Sequence, residues 1–224
     1  DAAERERMVR EAADAARGAD AAILADFALG AVVPATVGPL CRALRAAGVL
    51  AGDVSGRRAN LLGFEGMDLI SPSESEVRAA TGFADDGLAS VVWSLLDVTR
   101  SRAAIVTLGA DGLIAFDRTH GAAPTGGRWL ERLAGEHVPS FAPFAVDQLG
   151  CGDALLAAAT LALAAGATVP QAAIVGSAAA SLEARRLGNI PIDAADLRRA
   201  LARITGAQLA YGATPAAGLA GAAV

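Results

Sequence analysis

The chain has 224 residues, a net charge of −5 and a hydrophobic share of 54%, which is enough for one sizeable core. No apolar stretch reaches the roughly twenty residues that cross a bilayer, and the acidic balance and few aromatic residues argue against a nucleic-acid partner. All nineteen basic residues are arginine, which excludes P-loop NTPases, protein kinases and Schiff-base enzymes, since each of these classes requires a lysine.

The cysteines and histidines exclude further classes. Cys41 and Cys151 are too few for a disulfide framework and lack the spacing of metal ligands. His120 and His137 are isolated in polar, glycine-bearing stretches, which favours loop positions over catalytic ones. Accordingly, we do not expect a Ser-His-Asp triad or a histidine-rich metal site. We therefore expect a soluble, cytoplasmic protein that does not contact a membrane.

Hydrophobic periodicity predicts helices that alternate with strands along most of the chain. The predicted helices are 1–17, 34–47, 73–81, 86–99, 151–165, 169–186 and 194–204. The predicted strands are 21–25, 49–53, 67–70, 103–108 and 113–116, and 129–138 is interpreted as an edge hairpin. Such alternation is typical of a mostly parallel sheet with helices on both faces. We predict one domain, 1–205, and a flexible tail, 206–224.

Polar residues follow several of the predicted strands. They are Asp26, Asp53, Ser71-Pro72-Ser73 and Thr107-Leu108-Gly109. Open α/β sheets bind their ligands beyond the carboxyl ends of the strands. We therefore expect these residues to converge on one crevice, together with the turn 150–153.

The most informative segment is Asp147-Gln148-Leu149-Gly150-Cys151-Gly152-Asp153, at the start of an alanine-rich helix. Glycines at such a junction permit a sharp turn and leave the first N–H groups of the helix unpaired. Those donors and the helix dipole favour a phosphate or a transferring group. Asp153 could accept the proton of a hydroxyl that attacks phosphorus. Aspartate and glycine are also common at helix starts for structural reasons, so the segment alone does not establish catalysis.

Three ordered segments resemble the ribokinase-type, or PfkB, carbohydrate kinases. Segment 147–153 resembles the family signature Asp-Thr-x-Gly-Ala-Gly-Asp, and 106–112 resembles the nucleotide-side strand and turn. Segment 71–76 resembles the Pro-Asn-x-x-Glu motif. Segment 26–30 and the helices after Asp153 are most similar to the heptose-phosphate kinase branch. The resemblance runs from near residue 1 to about residue 205.

The resemblance implies a fold and a reaction. The fold is an α/β, ribokinase-like, three-layer α/β/α structure with a mostly parallel central sheet. The reaction is transfer of the γ-phosphoryl group of ATP, with Mg²⁺, to a hydroxyl of a sugar or sugar phosphate. Asp153 would be the general base, and the amides of Gly150, Cys151 and Gly152 would form the anion hole. Glu76 would help to organise the magnesium-bound water and phosphates.

Further residues are assigned to ligands by the same resemblance. Those expected along the phosphates and ribose of ATP are Ser73, Thr107, Gly109 and Gly112, and those expected at the adenine are Gly176, Ala180 and Asn189. Those expected at the substrate are Asp26 and Asp147. Small residues near 176–180 suit a flat base, but they suit plain helix packing equally well, so both interpretations stay open.

The chain also departs from the family pattern. Ser73 replaces asparagine, Gln148 replaces threonine, Cys151 replaces alanine, and Leu29 stands where the heptose-kinase branch has lysine. We expect a lowered pKa and easy oxidation for the Cys151 thiol at a helix N-terminus. These departures keep an alternative open, a degenerate homologue that binds a nucleotide without catalysis. A NAD-dependent dehydrogenase is a distant third, because Leu155 stands where the third glycine of its fingerprint is required.

The start of the chain bears on whether the sequence is part of a longer protein. In the family, the first strands, the small lid sheet and the main sugar-binding residues would precede Asp1. We therefore expect the chain to be part of a longer protein, and a homodimer that pairs through its lids is one expected assembly.

Overall fold

The computed structural model describes residues 2–56, 60–118, 133–142, 144–188 and 190–212. The strands are β1 (Ala21–Asp26), β2 (Val49–Val54), β3 (Leu69–Ile70), β4 (Ala103–Thr107), β5 (Leu113–Arg118) and β6 (Leu133–Val138). The helices are α1 (Ala2–Ala16), α2 (Pro34–Leu44), α3 (Glu74–Thr81), α4 (Leu88–Thr99), α5 (Cys151–Ala164), α6 (Val169–Glu183) and α7 (Ala194–Gly212).

The strands form one sheet in the order β1-β2-β3-β4-β5-β6. The first four strands are parallel, and β5 and β6 are antiparallel additions at one edge. A tight turn over Gly109–Asp111 joins β4 to β5, as expected for a strand that returns beside its neighbour. The mostly parallel sheet is confirmed. The position of β6 at the edge is confirmed as well, and residues 129–132 of the predicted hairpin lie outside the described residues.

Side chains that alternate along the strands divide the core into two layers. Leu50 and Val54 of β2 pack with residues of α1–α4, whereas Ala51 packs with α5 and α6. In β3, Ile70 and Leu69 divide in the same way. Both faces are apolar because a parallel sheet covered by helices is buried on both sides. The predicted three-layer α/β/α architecture is therefore confirmed.

The main difference from the predicted elements lies at the C-terminal helix. α7 runs to Gly212, beyond the predicted end at Ile204. A single glycine inside a helical pattern, here Gly206, lowers helix propensity but does not end the helix. The predicted tail would therefore begin inside a helix at residue 206, and the division of the chain into domain and tail stays a prediction.

Helices α5 and α6 approach each other closely at Gly176. A Cβ atom at this position would lie 2.8 Å from the carbonyl oxygen of Leu155 and 3.3 Å from the Cβ atom of Ala159. The first separation is shorter than real Cβ contacts allow, so the absence of a side chain permits this approach. Helix packing therefore accounts for the glycine at this position.

We predict that Gly176→Ala lowers the free energy of unfolding by about 1–3 kcal/mol, because the added methyl group overpacks the α5–α6 contact. Gly206→Ala is the matched control, since a Cβ atom there meets no atom within 4 Å. The control is expected to raise the free energy of unfolding by up to about 1 kcal/mol through helix propensity. Urea denaturation followed by circular dichroism measures both, and equal stability of the two variants would contradict the packing described.

Candidate functional site

The first turn of α5 begins at a left-handed residue. Gly150 has φ 81° and ψ −6°, and no side chain caps the helix. The Cys151 N–H was predicted for the anion hole, but it donates to the Gln148 carbonyl at 3.3 Å and so closes the turn itself. The Ala154 N–H donates to the Gly150 carbonyl at 2.9 Å. Within the described parts of the chain, the amides of Gly150, Gly152 and Asp153 have no hydrogen-bond acceptor. These free donors stand at the positive end of the helix dipole, which favours an anion.

The loop before α5 is tied to the end of α6. The Val146 N–H donates to the Ala184 carbonyl at 2.6 Å. The Asp147 carboxylate accepts from the Leu149 N–H at 3.0 Å and from the Gly188 N–H at 3.3 Å. These two amides hold the pKa of Asp147 below its usual range. Asp147 therefore fixes the loop that leads into the turn, and its predicted contact with a substrate stays a prediction.

Asp153 lies on the side of the turn that faces the neighbouring strands. α5 packs over β1 and β2. The charge of Asp153, in its first turn, acts on Asp53 near the carboxyl end of β2. Asp53, near the end of β2, has a pKa raised to about 6. Burial is the main cause, followed by repulsion from Glu76 and from Asp153. Asp53, Glu76 and Asp153 are therefore close enough to interact, as the predicted convergence of strand ends requires.

Glu76 and Ser73 form a capping box at the start of α3. Glu76 Oε2 accepts from the Ser73 N–H at 2.8 Å and from the Ser73 hydroxyl at 2.7 Å. The Ser73 Oγ atom accepts from the Glu76 N–H at 3.3 Å in return. Glu76 Oε1 accepts from the Gly56 N–H at 3.1 Å and so joins the loop after β2 to this helix. A structural role is therefore shown for both residues, while their ligand roles stay predictions.

The acidic side chains fit a magnesium ion only in a particular way. Among the described residues, no group of three or more His, Cys, Asp or Glu side chains is placed to hold a metal ion. Mg²⁺ usually keeps several waters and binds through one or two carboxylates together with substrate phosphates. Asp53 and Glu76 fit that pattern as a pair of carboxylates, since a cation beside them would also relieve the repulsion of Asp53 by Glu76.

A cavity of about 290 Å³ opens beside the turn, between α5, α6 and the β4–β5 connection. Six residues predicted for the anion hole or the nucleotide line it, namely Thr107, Gly109, Gly112, Cys151, Gly152 and Ala180. Ser177 and Ser181 of α6 also line it. Gly112 has φ 91°, and a Cβ atom there would lie 2.2 Å from the Val138 carbonyl oxygen, so backbone packing alone requires this glycine.

Some predicted residues do not reach this cavity. Gly176 packs against α5 instead of lining the cavity, and Asn189 lies outside the described residues. Ser73 lines an open cleft of about 420 Å³ on the other side of Thr107 and Gly109. Glu76 lines a cleft of about 520 Å³ between α2 and α3. That cleft is the largest of the three, but it lacks the free amides of α5, so its size does not make it the phosphate site.

Asp26 is buried at the end of β1, with 4% of its surface exposed. One carboxylate oxygen accepts from the Ala28 N–H at 2.9 Å, and the other accepts from the Asn60 side-chain amide at 2.9 Å. Ala28 has a left-handed backbone with φ 55°. Asp26 thus shapes the loop that carries the exposed Leu29, and its predicted contact with the substrate stays a prediction.

The expectation for the Cys151 thiol is wrong. Burial raises its pKa, and the negative charges of Glu183 and Asp147 raise it further. The thiol also donates a long hydrogen bond to the Asp147 carbonyl, at 3.7 Å. The helix dipole would lower the pKa, but desolvation and two nearby carboxylates oppose that effect.

Asp53 was expected in the crevice, but the sequence offered no reason to assign it a role. It was grouped with the strand-end residues expected near the turn 150–153, and the structure brings it close enough to Asp153 and Glu76 to interact with both. The alternation of side chains along β2 indicates this position, because Ala51 faces α5 and Asp53 lies two residues further along the same face. None of the helices in the described residues combines the length and hydropathy of a bilayer-spanning segment.

A helix N-terminus with free amides, which opens on a cavity at the carboxyl edge of an α/β sheet, is typical of proteins that bind phosphate groups. The chain belongs to the pfkB family of carbohydrate kinases, whose sequence profile matches residues 6–195. The family predicted from the three motifs is therefore confirmed.

Similar proteins support the same assignment. The chain is 31% identical to bifunctional protein HldE of Azorhizobium caulinodans, over 94% of this chain and 41% of that protein. It is 32% identical to bifunctional protein HldE of Caulobacter vibrioides, over 80% of this chain and 35% of that protein. The chain thus spans about two fifths or less of the length of these relatives.

Solved structures share the fold. Phosphofructokinase-2 from Escherichia coli in complex with potassium matches with a TM-score of 0.70 and 18% identity, over 90% of this chain and 62% of that chain. Ribokinase from Arabidopsis thaliana, complexed with ribose and ATP, matches with a TM-score of 0.66 and 21% identity, over 85% of this chain and 58% of that chain. At these identities the likeness shows the ribokinase-like fold alone.

The raised pKa of Asp53 predicts a pH-dependent stability. In the folded protein the Asp53 carboxyl group stays protonated up to about pH 6, whereas its ordinary pKa is 3.8. The resulting stability is fully present below about pH 4 and is lost as the pH rises through about 6, by at most about 3 kcal/mol. Asp53→Asn should abolish this loss, so its stability relative to the wild type should increase between pH 4 and pH 7.

Urea unfolding of the wild type and Asp53→Asn at four pH values from 4 to 7 measures this difference. Asp85→Asn, at an exposed loop residue, is the control for a general effect of removing a carboxylate. A stability difference between Asp53→Asn and the wild type that stays constant from pH 4 to pH 7 would rule out the burial and repulsion described.

Proposed function

We propose that this chain carries the catalytic centre of an ATP-dependent, Mg²⁺-requiring kinase that phosphorylates a hydroxyl of a sugar or sugar phosphate. The observation that carries the proposal is the first turn of α5. Its free amides at Gly152 and Asp153 are donors for a phosphate, and the same turn supplies a carboxylate. Cys151 and Gly152 line the adjoining cavity, which contains most of the residues that the family resemblance assigns to the nucleotide.

The two substrates would approach the turn from opposite sides. The cavity lies toward β4, β5 and α6, so we place the nucleotide there, with its γ-phosphoryl group at the Gly152 amide. Asp153 interacts with Asp53 of β2 and does not line that cavity. The acceptor hydroxyl would therefore lie over the ends of β1 and β2. This arrangement separates donor and acceptor across the turn, as in-line transfer requires.

The chemistry follows from these positions. The Asp153 carboxylate accepts the proton of the acceptor hydroxyl as the hydroxyl oxygen attacks the γ-phosphorus. The bond from that phosphorus to the bridging oxygen breaks, and ADP leaves with the bond's electron pair. The amides of Gly152 and Asp153 stabilise the charge on the transferring group. Bound Mg²⁺ supplies neutralisation of phosphate charge, and Asp53 and Glu76 are the carboxylates that would hold it or its water.

A nucleotide-binding homologue without catalysis is the alternative. It is favoured by Ser73 and Gln148, which differ from the family motifs, and by the exposed Leu29 where the heptose-kinase branch has lysine. Retention of Asp153 in the turn favours the kinase, because anion binding alone does not need a carboxylate there. A cytoplasmic location and a homodimer remain predictions for either function.

We predict that Asp153→Asn lowers turnover by at least about a thousandfold and leaves nucleotide binding within about threefold, because the change removes the base and preserves the amides. Turnover is measured as ATP-dependent phosphorylation of heptose, hexose and pentose phosphates and of the corresponding free sugars. Nucleotide binding is measured by calorimetry.

Asp86→Asn is the matched control, since Asp86 is exposed in the loop before α4. It should retain both nucleotide binding and turnover. Full turnover in Asp153→Asn would refute Asp153 as the base. Nucleotide binding without a phosphorylated product from any acceptor, in the wild type, would establish the non-catalytic alternative.

A further inference from the structure

Ser71 carries a buried hydroxyl without a partner at the edge of the proposed site. The residue is 7% exposed, and its Oγ atom has no hydrogen-bond partner among the described residues. Buried polar atoms in proteins are nearly always paired, so an orphaned hydroxyl calls for an explanation. Ser71 directly follows β3, at the carboxyl edge of the sheet.

The sheet register places Ser71 beside Asp53. Gly52 of β2 pairs with Ile70 of β3, and the Ser71 N–H donates to the Gly52 carbonyl at 3.0 Å. Asp53 and Ser71 are therefore the next neighbours along the two strands. Ala51 and Leu69, two residues earlier on each strand, both face α5 and α6. By the alternation of strands, Asp53 and Ser71 also share this face.

The separation of neighbouring strands makes contact between the two side chains feasible. Adjacent strands lie about 4.8 Å apart, and a change of side-chain rotamer brings a serine hydroxyl within hydrogen-bond distance of a carboxylate at that spacing. The other two serines of segment 71–76 already have partners. The Ser73 hydroxyl donates to Glu76 at 2.7 Å, and the Ser73 and Ser75 hydroxyls pair at 3.1 Å. Ser71 is thus the serine of this segment whose hydroxyl is free to donate to Asp53.

Asp53 is the carboxylate that needs such a donor. It is partly buried and lies close to the carboxylates of Glu76 and Asp153. Nearby like charges disfavour the ionised form of a carboxylate, and hydrogen bonds donated to it favour that form. The backbone N–H of Val54 lowers the pKa of Asp53 and so partly offsets these effects. A second donor, on the neighbouring strand, would fix the direction of the carboxylate.

We propose that Ser71 is a positioning residue whose hydroxyl donates a hydrogen bond to the Asp53 carboxylate when Mg²⁺ and nucleotide bind, and so fixes that carboxylate for the cation. The inference rests on the proposed function, since it concerns the cation of the same site. Ser71 acts through Asp53 and does not itself contact the reacting atoms.

The test combines substitutions at both positions. Ser71→Ala and Ser71→Thr are prepared in the wild type and in Asp53→Asn. The affinity for Mn²⁺, used as a paramagnetic probe in place of Mg²⁺, is measured by electron paramagnetic resonance with a non-hydrolysable ATP analogue present. The free energy of unfolding and, where turnover is found, kcat and KM are measured on the same proteins.

The positioning role predicts a specific combination of results. Ser71→Ala should weaken Mn²⁺ binding roughly tenfold, as expected for loss of a hydrogen bond to a charged group. The free energy of unfolding should not fall, because the hydroxyl makes no hydrogen bond in this structure. Ser71→Thr keeps the hydroxyl and should retain wild-type Mn²⁺ affinity. In the Asp53→Asn background, Ser71→Ala should have no further effect on Mn²⁺ affinity. In the wild-type background, Ser71→Ala should lower kcat and leave the KM of the acceptor unchanged.

Two results would overturn the proposal. One is unchanged Mn²⁺ affinity in Ser71→Ala, with or without a loss of stability. The other is an equal loss of Mn²⁺ affinity in the wild-type and Asp53→Asn backgrounds, which would show that Ser71 does not act through Asp53. Because Mn²⁺ binding does not require turnover, the comparison decides the role of Ser71 even if the protein phosphorylates no acceptor.

Discussion

The position of the first turn of α5 is the constraint on which the rest of the site depends. The left-handed backbone of Gly150 turns the chain into the helix without a capping side chain, so the following amides stay free. The loop before it is fixed to the end of α6 through Val146 and Asp147. The turn is therefore held from both sides, by the sheet under α5 and by α6. An anion site on such a turn is preorganised, because no backbone group has to move to bind.

Two opposite electrostatic features meet at this turn. The helix N-terminus favours negative charge, whereas Asp53, Glu76 and Asp153 place three carboxylates close together beside it. A phosphate alone would satisfy the amides and worsen the repulsion among the carboxylates. A magnesium–nucleotide complex satisfies both, since the phosphates face the amides and the cation faces the acids. Under the proposed function, this pairing accounts for a partly buried carboxylate with a raised pKa near the end of β2.

The sequence predicted the layers of the fold and the turn at Gly150 because both depend on local patterns, hydrophobic alternation and a glycine before a helix. It could not predict features that depend on distant contacts. In the sequence, Gly176 suited an adenine site and helix packing equally well. The close approach of α5 shows that packing accounts for the glycine. Asp53 was expected in the crevice, but its raised pKa and its closeness to Glu76 and Asp153 depend on contacts between distant segments. The pKa of Cys151 is raised because burial and nearby carboxylates outweigh the helix dipole.

The most direct test is to locate the binding site of a nucleoside triphosphate. Backbone amide NMR signals, followed during titration with Mg²⁺ and a non-hydrolysable ATP analogue, report this residue by residue. We predict that the amides of Gly152 and Asp153 show the largest shifts, together with residues of the 290 Å³ cavity such as Thr107. Unchanged signals at Gly152 and Asp153, with shifts confined to the cleft between α2 and α3, would contradict this prediction.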